Sequence, residues 1–486
     1  MGRLSCTSAV HGVVAFLFAA CAAPRPTSPS PLPAPISTPS PPVGPAPSLV
    51  DDTRATLEQM VRVDTSHGHE TDLLQPIAAR LRAEGFAPEL VESAPGRGNL
   101  IARYRGNGAK RPLLLIAHVD VVPVEGQPWT VPPFQLTEKD GFLWGRGVND
   151  DKGMAAVIVA MAVEMARGKP ALSRDVIFAL TAGEETGGFP GAQWLVTNRK
   201  DLIDAEIALN ESGMQRLDDD GSHVVLVGLG AAEKTFQSYK LIVRGKGGHS
   251  SMPPTDSDPV LALSRALVKI GEFRFGPRVI PATREQLAED AKLEKPPLAE
   301  AQARIASSGR VSVEDERIVS KDRIVNALVR TTCVTTQLQA SPQDNVLPTS
   351  AEATVNCRIM PDETREQTME SLRRVVNDPS VEITPVAEFG YGPYSPVDGE
   401  VLKASRKVAA SLWPGVPVVP IMTTGATDSR HLRAGGITAY GVSVSPMTKG
   451  EALTGHVAHG PDERRPAKWL ADGARYLREL TYELAR

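Results

Sequence analysis

This 486-residue chain has four cysteines, 5% aromatic residues and no excess of positive charge, with 53 Lys and Arg against 57 Asp and Glu. Two of the cysteines, Cys6 and Cys21, fall in the first 21 residues, and the remaining pair cannot make a cysteine-ligated zinc site. Cys333 and Cys357 lie in strand-like runs, Leu328–Leu338 and Ala353–Met360. They pair if those strands are neighbours in an oxidising compartment and stay buried thiols otherwise. A net charge of −4 without a long Lys/Arg run gives no footprint for nucleic acid, so the expected partner is a small substrate. No apolar run is long enough to span a bilayer. Apolar content of 41% is that of an ordinary globular protein, and the length suggests two folded units.

The N-terminus reads as targeting rather than fold. Arg3 precedes an apolar stretch from Val13 to Ala20 that ends in Phe18-Ala19-Ala20-Cys21. Small residues before a cysteine resemble a bacterial lipobox, so residues 1–21 are expected to be a lipoprotein-type signal peptide with Cys21 as the lipid anchor. A plain signal peptide, releasing a secreted protein, is the alternative. Either way the protein is expected to be exported. From Pro24 to Pro47 proline alternates with Ser, Thr and Ala, an extended composition that cannot bury a core, so residues 22–48 read as a linker.

Beyond the linker, carboxylates and histidines stand just after apolar runs. His118 and Asp120 follow Leu113–Ala117; Glu184 and Glu185 follow Val176–Leu180; Glu211 follows Ile207–Leu209. Asp150 and Asp151 follow a Gly-Arg-Gly turn, and His459 lies near the C-terminus. Parallel strands of an α/β sheet present their ligand crevice at their carboxyl ends, so such residues converge though distant in sequence. His118 and Asp120 are two apart in extended chain and point the same way, which lets the carboxylate orient the imidazole. The set reads as a two-metal hydrolase site.

Helix and strand alternate from Leu49: helices are expected at Thr53–Val63, Leu73–Gly85 and Met154–Arg167 around the three strands above. The character changes at Thr235–Val243, an alternating strand that leads to Gly247-Gly248-His249-Ser250. There follow a helix at Pro259–Gly271, a polar charged stretch to about Ile318 and the two cysteine-bearing strands. The reading is an α/β catalytic domain, 49–232 and 365–486, interrupted by a smaller α+β unit at 233–364.

The ordered motifs carry a resemblance that covers nearly everything after Thr53. They are His118-x-Asp120, Gly145-Arg146-Gly147-x-x-Asp150-Asp151-Lys152-Gly153, Glu184-Glu185, Asn210-Glu211, Gly247-Gly248-His249-Ser250, Asn345-x-x-Pro348, Arg358, Thr427-Asp428-Ser429-Arg430 and His459-x-x-Asp462-Glu463. In that order they resemble the zinc metallopeptidase family of carboxypeptidase S, glutamate carboxypeptidase, aminoacylase and succinyl-diaminopimelate desuccinylase. The segments around Trp129–Phe134, Asn345 and Arg430 look most like the carboxypeptidase S and N-fatty-acyl amino acid hydrolase branch.

The resemblance implies a discontinuous di-zinc peptidase domain with an inserted lid or dimerisation domain. It implies that Asp150 bridges two Zn²⁺ ions, one also held by His118 and Glu211, the other by Glu185 and His459; Co²⁺ or Mn²⁺ would substitute in vitro. By residue type alone Asp151 and His456 compete with Asp150 and His459, and the family spacing favours the latter pair. Glu184 is left as the general base, with Asp120 behind His118. His249 would donate to the developing oxyanion, from the same chain or from the second subunit of a homodimer; the polar stretch Arg278–Ile318 lengthens the lid and leaves both open. Asn345, Arg358 and Arg430 would bind substrate, an arginine fork suiting a free carboxylate. His67, His69 and His223 match no motif. The implied activity is hydrolysis of an amide next to a free carboxylate, by a carboxypeptidase or dipeptidase, or by an aminoacylase acting on N-acyl amino acids. A non-catalytic binding protein would be expected to have lost Glu184 or a metal ligand, and every one is present.

Overall fold

A run such as Leu113–Ala117, apolar at every position, must be covered on both faces. In the computed structural model, which describes residues 48–486 apart from 256–257, 387–391, 455 and 457, it is. The strand Leu113–His118 lies inside a ten-stranded sheet, parallel to Val176–Thr181 on one side and to Ile207–Asn210 on the other. Leu113 and Leu115 join a core with the helices Leu49–Val61, Lys152–Gly168 and Leu470–Ala485. Leu114 and Ile116 face the opposite layer, with Leu195 and Leu432 from the helices Ala192–Asn198 and Ser429–Ala434. This alternation is the period-two geometry of a strand buried on both sides. The segment expected to be a signal peptide with Cys21 as its anchor, and the expected linker up to residue 47, lie outside the described residues. Among the described residues no helix is long and apolar enough to cross a membrane.

Register brings the functional strands to one edge. His118 pairs with Thr181, and Leu113 with both Val176 and Ile207, so the three carboxyl ends finish together. The chain then leaves this sheet and returns: Val418–Thr423 pairs in parallel with Val224–Glu233, and Thr438–Gly441 with Ile207–Asn210. The catalytic sheet is therefore discontinuous in sequence, as expected.

The second sheet is antiparallel, in the order Thr332–Gln339, Ser350–Ile359, Thr235–Arg244, Val381–Pro385. Helices Pro259–Glu272 and Arg365–Val376 cover one face, with Leu263, Ile270, Leu372 and Val376 packed on Tyr239, Leu241 and Val355. Asp258 starts the first of these helices by accepting the amide protons of Val260 and Leu261, ahead of a proline at the first turn. The last strand comes from beyond the expected boundary at 364, because it fills the open edge of Thr235–Arg244, from Tyr239↔Pro385 to Val243↔Val381. Cys333 and Cys357 stand directly opposite each other, with Cα atoms 4.1 Å apart, and form a disulfide.

The polar stretch after Arg278 is not a simple extension of the lid. It folds into four helices, Pro281–Leu293, Leu298–Ser308, Val313–Val319 and Arg323–Leu328, around a small core of Leu287, Ile305, Val319 and Val325. The first packs against Val418–Thr423 of the large sheet, where Ala282 and Met422 share an apolar cluster. Arg216 of the large sheet holds Asp290 and Glu294 at 3.2 Å each, and Lys449 holds Glu294 at 2.7 Å. A largely polar helix, Pro281–Leu293, offers only a narrow apolar stripe, so its docking partner is set by these tertiary contacts rather than by its pattern.

Candidate metal centre

His118 ends its strand with a fully buried ring held from both sides. Its Nδ1 lies 3.0 Å from the Asp120 carbonyl oxygen and 3.4 Å from the Asp120 carboxylate; its Nε2 lies 3.0 Å from Asp150 Oδ1 and 3.9 Å from Glu211. Asp120 also accepts the backbone N–H groups of Glu184 and Glu185, both at 3.1 Å, so one carboxylate sets an imidazole and two glutamates. The turn before Glu184 needs glycine at 183: φ is +70°, and a Cβ there would come within 2.1 Å of the Pro190 ring. Asp150 reaches across, with its second oxygen 3.1 Å from His459 Nε2, and the same nitrogen lies 3.0 Å from Glu185. Asp150 thus stands between the two histidines, while Asp151 begins the helix behind it. His456 turns away, with its Nδ1 2.8 Å from the Pro461 carbonyl.

These side chains make two overlapping donor groups, each with its ligand atoms within 4.8 Å of one another: His118, Glu184 and Glu211, and His118, Asp150 and Glu185. Burial works to lower His118, but Asp120 and Asp150 hold it well above the usual imidazole range. Burial works to raise Asp150, but hydrogen bonds from His118 and His459 outweigh it and keep the carboxyl low. Asp150 and Glu185 bring His459 up to about 10. Burial pushes Glu184 and Glu211 well above the carboxylate range and raises Glu185, whose Oε1 is buried without a protein partner. Imidazoles and crowded carboxylates that must share protons are a donor set suited to divalent cations, which replace those protons on binding.

Several residues with no role assigned from sequence hold this geometry. Glu463, fully buried, accepts the backbone N–H groups of Gly147, Asn149 and Asp150 at 3.0, 2.8 and 3.2 Å, and pairs with Arg146 at 2.9 Å. It pins the loop that aims Asp150, and burial raises its own carboxyl to about 7. Asp462 takes the Thr130 amide and hydroxyl. Glu233 takes the Thr427 amide and hydroxyl and the Arg433 guanidinium, which positions the turn before Arg430. Asp462 and Glu463 stand inside the His459 motif, so the signal was present; an adjacent acidic pair near a loop gives no hint of burial.

The candidate donors open into a cleft of about 420 Å³. Arg358 and Arg430 line it opposite Glu184 and Glu185. Arg358 lies 4.9 Å over the Phe236 ring, and burial, then the Arg430 charge, lower its basicity. Arg430 donates to the Gly187 carbonyl at 3.1 Å. His249 and Asn345 are not among the residues lining this cleft. Both are exposed on a short ribbon, Gly248–His249 paired with Val346–Leu347, where Ser250 donates to the Asn345 carbonyl at 3.1 Å. His67, His69 and His223 are well exposed, each beside a carboxylate.

The fold and the candidate donor set are of the kind that suits a metal-dependent hydrolase. Residues 114–483 match the model of peptidase family M20/M25/M40, and the chain belongs to that family. Among its relatives, the N-fatty-acyl-amino acid synthase/hydrolase PM20D1 of Xenopus tropicalis is 31% identical over 66% of this chain and 62% of its own length. A probable carboxypeptidase S-like 2 of Dictyostelium discoideum is 29% identical over 68% and 64%. This chain therefore spans under two thirds of the length of either. The M20 family metallo-carboxypeptidase Sso-CP2 of Sulfolobus solfataricus shares the fold, with a TM-score of 0.68 at 18% identity over 89% of this chain and 100% of its own.

Proposed function

We propose that this protein is a dinuclear zinc hydrolase that cuts an amide next to a free carboxylate, as a carboxypeptidase or dipeptidase does. The observation that carries this reading is the placement of Arg358 and Arg430 in one cleft with the metal donors. Asp150 would be shared between two cations, with His118 and Glu211 on one and Glu185 and His459 on the other. Two cations held there would polarise the scissile carbonyl and acidify the attacking water. Glu184 would take the proton of the attacking water and pass it to the leaving nitrogen, a task suited to a carboxylate set beside the donors. The two guanidiniums fix the substrate carboxylate, and His249, from a second copy of the chain, donates to the oxyanion; the exposure of its ribbon supports that placement.

A second reading, hydrolysis of N-acyl amino acids, uses the same machinery and is supported by the name of the PM20D1 relatives. Export with a lipid on Cys21 is proposed from the N-terminal sequence, and the Cys333–Cys357 disulfide supports an oxidising compartment. The test is hydrolysis of matched peptides and N-acyl amino acids with free and amidated C-termini. Cleavage of the free acids alone is expected; equal cleavage of the amides would remove the arginine clamp from the mechanism.

A further inference from the structure

Behind the metal cleft lies a cavity of about 360 Å³ between the large sheet and the helices from 281 to 328. A smaller pocket of about 230 Å³ borders both. It shares Asp150, Glu211 and Ser212 with the cleft, and Gly213, Ser443, Ser445 and Met447 with the cavity. The three together reach from the carboxylates of the candidate metal centre to the inserted helices.

The cavity wall carries Met214, Met422 and Met447 with Ile324, Leu328 and Ile421. Thioether side chains are unbranched and adapt to an irregular apolar occupant. The charged groups in the lining are already engaged. Arg216 and Lys449 pair with Asp290 and Glu294, and Asp322 accepts the amide protons of Ile324 and Val325 at its helix start. The wall thus presents no free charge to demand a polar ligand, and the amide oxygens of Gln215 and Gln302, buried without protein partners, can be met by ordered water.

We propose that this cavity holds the acyl chain of an N-acyl amino acid, and that the helices from 281 to 328 set the chain length the enzyme accepts. The proposal rests on the amide-hydrolase reading, with the carboxylate at the arginines, the scissile amide at the metal donors and the apolar chain running away through the Met447 neck. It gives the polar insertion a task, which is to wall a channel rather than to lengthen a lid.

The test uses the full zinc-loaded chain and the acetyl, octanoyl and dodecanoyl derivatives of one amino acid. The ratio kcat/KM is expected to rise at least about tenfold from acetyl to dodecanoyl, as buried methylenes add binding. Ile324→Trp, or Ala452→Trp at an exposed position of the same wall, is expected to abolish the rise and leave acetyl hydrolysis unchanged. Equal rates for all chains, or a variant that slows every chain alike, would overturn the proposal. Calorimetric binding of the dodecanoyl compound to Glu184→Gln, with and without the Trp substitution, separates the two claims. If no amide is cut, the hydrolase reading falls, and affinity that the Trp does not lower removes the channel as well.

Discussion

On the large sheet, His118, Asp120, Glu184, Glu185 and Glu211 follow three parallel strands in matched register and meet at one edge. Arg358 sits within an antiparallel strand of the four-stranded sheet, while His249 lies on a separate two-stranded ribbon with Asn345 beside it, and neither of these two lines the cleft. Parallel strands all end on the same side, so whatever follows them converges. Antiparallel strands reverse direction, and residues at their ends go to opposite edges. The convergence of several candidate donors at one sheet edge, and the scatter of the expected substrate residues, follow from that difference.

The contrast is sharpest at Glu184, where the Gln variant is expected to lower kcat by about 10²–10⁴-fold with metal content unchanged by elemental analysis. Retained activity would move the proton transfer elsewhere. Arg430→Ala is expected to raise KM for free-acid substrates by roughly one to two orders of magnitude, from loss of a charge-assisted contact. Metal content and thermal stability should not change, and a loss of either would mark Arg430 as structural. Replacing both Cys333 and Cys357 with Ser should cost the four-stranded sheet about 2–4 kcal/mol in denaturant unfolding, for a bridge between residues 24 apart, while metal content stays the same. Loss of metal would show that the two sheets are coupled.

The smallest expected effect lies at the junction of the large sheet with the inserted helices. Burial raises Asp290 from its ordinary value near 3.8 to about 6, against the opposing pull of Arg216. Between those values the folded chain binds a proton that the unfolded chain has released, so this group weakens the fold as pH rises through the window. The slope is at most about 1.4 kcal/mol per pH unit. Asp290→Asn should flatten thermal stability between pH 4 and 6, and an unchanged profile would show that Arg216 compensates the charge.

Much of the large sheet was legible. The apolar run Leu113–Ala117 and the helix after Asp151 stand where their patterns put them, within a few residues at each end. The candidate donors His118, Glu185 and Glu211 stood out for the same reason, since each follows such a run, whereas Asp150 and His459 were marked only by motif spacing. Glu463 was not, because its task depends on burial beneath three backbone amides contributed by a loop over three hundred residues earlier. The helices from 281 to 328 were not, because polar faces hide a narrow apolar stripe.

By itself, the amino-acid sequence determined the strands of the large sheet and the order in which the candidate donors come, because apolar periodicity and side-chain chemistry are local properties. Only the tertiary structure decided that Asp150 lies between His118 and His459, that Cys333 meets Cys357, and that a polar insertion walls a cavity against the large sheet. Those outcomes depend on register and packing between segments far apart in the chain, and no local pattern encodes which distant segment will be the neighbour.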